Sequence, residues 1–184
     1  MKMLKELILG LYVVSTAALA GQDDVIARLA IERAEVKPDQ AMALVEQQYP
    51  NSRIVEFSLD DDDDHPQMRY ELKVVDPKAS QTIELYVDAA TGLVTEDERE
   101  NYGSWFSKED KHKYQQLMKG TTLQQAVAEA QKVAPGILLE AELESEKGIV
   151  YFETEILTNT ALEKVVVDLS TGKPIPVVSG QHHG

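Results

Sequence analysis

The chain states one pattern twice. Residues 37–94 and 122–174 run in the same order through a helix-like stretch, an acidic strand, a turn, two further strands and a closing Asp-x-x-Thr-Gly. Ala41 and Pro50 recur as Ala126 and Pro135, offset by 85. Asp88, Thr91 and Gly92 recur as Asp168, Thr171 and Gly172, offset by 80. The difference is what loop shortening does inside a duplicated unit. Such a repeat constrains the architecture before any local assignment, because both units must bury their apolar faces in the same way.

Periodicity then fills in each unit. In the first, Pro38 suits an opening helical turn, Ala41, Met42, Val45 and Tyr49 form one stripe, and Pro50-Asn51 stops it. In the second, Thr122 and Gln125 make a capping box, Leu123, Ala126, Val127, Ala130 and Val133 form the stripe, and Pro135-Gly136 stops it. Lys37 stands where Thr122 does, a poorer cap. Ile54 to Leu59, Met68 to Val74 and Ile83 to Val87 alternate as half-buried strands do; so do Leu139–Leu143, Val150–Ile156 and Leu162–Val167. Each Thr-Gly pair is expected to place a positive-φ residue at a strand end.

These elements predict an α+β protein: two tandem α-β-β-β domains, each a helix packed on a small antiparallel sheet. The first spans 21–95, with a leading helix over Asp24 to Glu35, and the second spans 120–178. Between them, 96–119 reads as an aromatic, partly helical linker, and 179–184 as a flexible tail. The linker opens on Glu96-Asp97-Glu98, holds Tyr102, Trp105 and Phe106, and has helix start and stop signals at Ser107 with Asp110 and at Lys119-Gly120. Its aromatics fit either packing across the two domains or an exposed recognition patch. A unit of roughly 55 residues is marginal alone, so the two are expected to share an interface or to borrow surface from the linker.

Residues 1–20 are set apart. A short basic start, an apolar run from Leu7 to Ala18 and the small-residue site Ala18-Leu19-Ala20 predict a signal peptide and a periplasmic or secreted protein. The run is short for a membrane span. The absence of cysteine excludes disulfides, thiolate metal sites, a cysteine nucleophile and a lipid-modified N-terminal cysteine. Net charge is −14; removing residues 1–20 takes away two Lys and one Glu and leaves −15. Nucleic acid and anionic lipid are disfavoured, whereas cations and basic protein surfaces are favoured.

An inner Ala on the helix, then Pro, an acidic strand, a Tyr-x-x-x-Val strand and Asp-x-x-Thr-Gly together resemble the PepSY domain. Ala41, Pro50, Tyr70, Val74, Asp88, Thr91 and Gly92 carry the resemblance in the first repeat. Ala126, Pro135, Phe152, Ile156, Asp168, Thr171 and Gly172 carry it in the second. PepSY domains occur in propeptides of secreted metallopeptidases and in bacterial envelope proteins. The resemblance implies a non-catalytic module that binds or restrains a partner, often a peptidase. A sensor ectodomain is the other partner expected of an envelope binding protein, and no cofactor is expected. The 184 residues carry no peptidase domain beside the repeats, so envelope binding or regulation in general stands open beside peptidase restraint.

The residues themselves agree with an absence of catalysis. His65, His112, His182 and His183 lack a serine nucleophile motif nearby, and no His-Glu-x-x-His or phosphate-cradling Gly loop occurs. Glu140, Glu142, Glu144 and Glu146 alternate along one strand and Glu153 and Glu155 along the next. Period two puts each set on one sheet face, and hairpin pairing would make like charges neighbours. Glu140, Glu142, Glu153 and Glu155 are therefore the candidate contacts for a basic partner, with Trp105 as an anchor. An exposed strand edge offers a second route, by β-augmentation. The other class of reading is a Ca²⁺ site. Asp60, Asp62, Asp64 and Glu71 occupy positions 1, 3, 5 and 12 of an EF-hand count, but His65 stands where Gly is required and strands flank the loop. The alternative for this run is a solvated hairpin loop.

Overall fold

The structure, a computed structural model, describes residues 21–60, 67–101 and 108–175. The signal-peptide and tail expectations fall outside those residues. Helices α1 (Gln22–Arg33) and α2 (Pro38–Gln48) lead into strands β1 (Arg53–Leu59), β2 (Arg69–Asp76), β3 (Gln81–Asp88) and β4 (Val94–Asn101). Helices α3 (Lys108–Leu117) and α4 (Leu123–Val133) precede β5 (Ile137–Glu146), β6 (Ile149–Leu157) and β7 (Leu162–Asp168).

The caps follow the sequence. The Gln125 N–H donates to Thr122 Oγ1 at 3.2 Å while the Thr122 N–H donates to Gln125 Oε1 at 3.1 Å, a reciprocal box that starts α4. At α2 the Lys37 N–H donates to Gln40 Oε1, but the lysine side chain serves another helix. Its ammonium donates to the carbonyls of Ile31, Glu32 and Ala34 and closes the C-terminus of α1, where a cation is favoured by the helix dipole.

The strands join into one antiparallel sheet in the order β4-β3-β2-β1-β5-β6-β7. The repeats thus do not keep separate sheets. β1 and β5, the first strand of each, pair directly through Glu56↔Glu142, Phe57↔Ala141 and Ser58↔Glu140. Each would otherwise present an open edge, so the pairing satisfies backbone groups on both. Helix α2 packs on β1 and β2, while α4 packs on β5, β6 and β7 and also crosses the junction onto β1. Phe57, Tyr70, Leu72, Leu85, Leu143, Phe152 and Ile156 are all buried, and one continuous apolar core runs through both repeats.

The junction has approximate twofold symmetry. A bulge between Ile54 and Glu56 in β1 matches one between Leu138 and Glu140 in β5. The 84-residue offset that aligns these bulges makes Phe57 the counterpart of Ala141, and these two residues face each other. On the helical side, the Gln124 side-chain amide donates to the Asp39 carbonyl at 3.3 Å. Asp39 and Gln124 are themselves counterparts, by the helical offset of 85.

The Asp-x-x-Thr-Gly turns are alike. Asp88 Oδ1 accepts from the N–H groups of Ala90 and Thr91 and from the Thr91 hydroxyl. Asp168 Oδ1 accepts from the Thr171 N–H and from the Ser170 and Thr171 hydroxyls. Gly92 and Gly172 take φ of 74° and 66°, as the motif requires. Thr91 holds the Asp88 carboxyl below its usual range. At Asp168 burial works the other way, but the Ser170 and Thr171 donors outweigh it and lower that carboxyl too.

β4 was not expected. Its sequence, Val94 to Asn101, shows no apolar alternation, and every residue after Val94 is exposed. It is a strand because β3 supplies a hydrogen-bonding partner from Val87↔Val94 to Gln81↔Asn101, interrupted only by a bulge at Asp97. The first part of the stretch read as linker, 96–101, is therefore sheet, and α3 supplies the helical part.

Candidate functional site

The sheet face turned away from α2 and α4 is acidic across its width. Because side chains alternate, the residues between the buried ones collect there. One cross-strand row reads Glu98, Glu84, Lys73, Glu56, Glu142, Glu153 from β4 to β6. The next reads Tyr86, Glu71, Ser58, Glu140, Glu155, Lys164 from β3 to β7. The β5–β6 hairpin sets this register: Lys147 and Gly148 both have positive φ, 53° and 81°, the conformation that suits a two-residue hairpin turn.

The structure therefore brings Glu140, Glu142, Glu153 and Glu155 together, as Glu140↔Glu155 and Glu142↔Glu153. It adds Glu56, which sequence reasoning missed, and Glu71, which the sequence offered only as position 12 of the EF-hand count. Their alternation opposite buried neighbours was visible, but the β1–β5 pairing that places Glu56 beside Glu142 was not.

Cations on this face are already engaged. Lys73 lies 2.6 Å from Glu84, and Lys164 lies 2.5 Å from Glu153 and 3.3 Å from Glu155. Arg69 pairs with Asp60 and stacks 3.6 Å above the Tyr86 ring centroid. Lys113 of α3 donates to the Leu143 carbonyl at 3.2 Å. Among the described residues, Glu56, Glu140 and Glu142 have no ion-pair partner within 4.0 Å.

The crowding shows in the carboxyl affinities for protons. Burial, then Glu155 and Glu56, raise Glu140 above its usual 4.5. Burial, then Glu144 and Glu56, raise Glu142, with Lys113 opposing. Burial, then Glu56 and Glu84, raise Glu71. A carboxyl raised on folding binds more protons folded than unfolded, so its contribution to stability falls as pH rises above 4.5 through the raised value. Relief of this charge is expected to stabilise the fold: Glu140→Gln with Glu142→Gln should lift the pH 7 melting temperature by about 1–2 °C at low salt. The gain should vanish near pH 4. A melting temperature at pH 7 no higher than the parent's refutes the strained face.

The remaining sequence candidates fare differently. Asp60 is engaged by Arg69, while Asp62, Asp64 and Trp105 lie outside the described residues. Among those described, no group of three or more His, Asp or Glu is arranged to hold a metal. No helix among them is long and apolar enough to cross a membrane.

The two sheet edges are unequal. β7 is partly covered by the returning chain, where the Ile175 N–H donates to Val166 O at 2.8 Å and Pro174 bridges to Val167. β4 pairs on one side only, and its Glu96, Asp97, Glu98 and Glu100 line the outer margin with Arg99 tied to Glu96 at 2.5 Å. Such charges discourage indiscriminate pairing.

These features define a duplicated helix-on-sheet protein with an exposed acidic face. The chain belongs to the PepSY family: that family's model, described as peptidase propeptide and YPEB domain, matches residues 36–98 and 122–175. Domains of this family are generally non-catalytic and of propeptide or inhibitor type. Among solved structures, a Clostridium difficile 630 protein described as a lipoprotein is 24% identical with a TM-score of 0.44, the alignment covering 80% of this chain and 95% of that one. The Bacillus megaterium YpeB C-terminal domain is 19% identical with a TM-score of 0.27, covering 77% of this chain and 62% of that one. No curated protein matches the chain.

Proposed function

We propose that this is a non-catalytic protein of the cell envelope, periplasmic or secreted, that captures or restrains a basic protein or peptide partner on its acidic sheet face. A peptidase is the partner class in keeping with the family's description, and a sensor ectodomain is the other candidate. The observation that carries the reading is the carboxylate row through Glu56, Glu142 and Glu153, flanked by Glu140 and Glu155. The fold keeps these groups adjacent against their mutual repulsion, and a cationic partner would relieve it. Trp105 enters as an aromatic anchor, and the β4 edge as a place for strand addition.

The test is affinity capture with residues 21–184, followed by charge reversal. Glu140→Lys, Glu142→Lys, Glu153→Lys and Glu155→Lys together should weaken a captured partner by about 100-fold and flatten the salt dependence of binding. Unchanged affinity and unchanged salt dependence would sink the acidic-face reading. Cation capture by Asp60, Asp62 and Asp64 is the weaker reading, since Asp60 already serves Arg69. Saturable Ca²⁺ heat lost on changing these residues to Asn would reverse that order.

A further inference from the structure

A second site lies on the opposite face of the sheet. Helices α2 and α4, with the end of α1 and the start of β5, line a groove of about 620 Å³. Its depth is apolar, with Met42, Val127 and Leu138 at the bottom and Pro38, Ala128 and Ile137 on the walls. The volume falls within the range of about 300–1,000 Å³ that ligand clefts occupy.

Its rim has one sign. Glu32 and Asp39 are exposed carboxylates on the lining. The single cationic lining residue, Lys37, has its ammonium committed to the Ile31, Glu32 and Ala34 carbonyls. The two lining glutamines are likewise used, Gln124 on the Asp39 carbonyl and Gln131 on the Gly136 carbonyl at 3.1 Å. What the groove offers is thus an apolar slot bordered by negative charge with few free donors. An acidic or strongly polar occupant would meet Glu32 and Asp39 without compensation, and a purely apolar one would leave their field unused.

We infer that this groove is a docking site for a peptide segment carrying one large aliphatic or aromatic side chain next to lysine or arginine. The apolar side chain fills the slot between α2 and α4, and the flanking cation meets Glu32 and Asp39. The site is separate from the acidic sheet face, so one basic partner chain can be held at two places and either site can fail alone.

The test uses residues 21–184 and three sets of short fluorescent peptides, built around Lys-Leu-Lys, Lys-Ser-Lys and Glu-Leu-Glu and read by anisotropy at two salt concentrations. The Lys-Leu-Lys set should bind at least about tenfold more tightly than either other set. Ala128→Trp, which fills the groove from an exposed helical position, should abolish that preference. Glu32→Gln with Asp39→Asn should weaken Lys-Leu-Lys binding and reduce its salt dependence without touching the core. Glu140→Gln with Glu142→Gln, on the other face, should leave the preference for Lys-Leu-Lys over Lys-Ser-Lys intact. Equal binding of all three sets, absence of binding, or binding indifferent to both groove variants overturns the inference. Loss only in the sheet-face variant would assign the peptide to the acidic face instead.

Discussion

Phe57→Ala should destabilise the whole protein by about 3–5 kcal/mol, as deletion of a large buried aromatic does, and should do so in a single unfolding transition. Phe57 has no exposed surface. It packs with its ring centroid 5.4 Å from that of Tyr70 and stands opposite both Leu72 and Ala141. It therefore belongs to the cores of both repeats. Against a total stability of about 5–15 kcal/mol for a domain, the loss leaves little margin. Urea unfolding followed by near- and far-UV circular dichroism reads both claims. Two separated transitions, with only one shifted by the substitution, would show that the repeats fold as independent domains despite the shared sheet.

Gly136→Ala should cost about 1–3 kcal/mol, the range for forcing an extra methyl into filled space. The added Cβ would lie 2.8 Å from Ile156 Cγ2 and 2.8 Å from the Leu157 carbonyl carbon, and the second of these is strand backbone that cannot rotate away. Pro135 and Gly136 turn the chain from α4 directly onto β5 beside β6. Gly148 offers the contrast: its added Cβ meets nothing within 4 Å, and Gly148→Asn, a residue that tolerates positive φ, should cost far less. Thermal melts of the two variants decide the matter. A Gly136→Ala protein as stable as the parent would mean that the β5–β6 hairpin yields to make room.

Much of the fold was readable because it rests on local chemistry. Thr122 and Gln125 announced α4, Pro50 and Pro135 ended α2 and α4, and alternation marked the six strands of the repeats. β4 escaped because a strand made by its neighbour needs no apolar period, and Thr95 to Asn101 carry none. The pairing of β1 with β5 escaped because edge selection is a tertiary matter; nothing within Arg53–Leu59 names its partner. The candidate site divides the same way. Glu140, Glu142, Glu153 and Glu155 were legible from period two and a short hairpin turn. The arrival of Glu56 beside Glu142 was not, nor was the groove between α2 and α4, which exists only where two distant helices come side by side.

The Phe57–Ala141 contact carries one more consequence. Two identical chains related by a true dyad must present the same residue from both sides wherever the axis passes through a side chain. Two phenylalanines there would crowd and two alanines would leave a void. Joining both units in one polypeptide lifts that obligation, so a large side chain can stand against a small one at the centre of the sheet. The same freedom lets one half of the molecule keep Asp39 where the other has Gln124. Covalent duplication thereby yields an asymmetric core and an asymmetric surface that an assembly of identical halves could never reach.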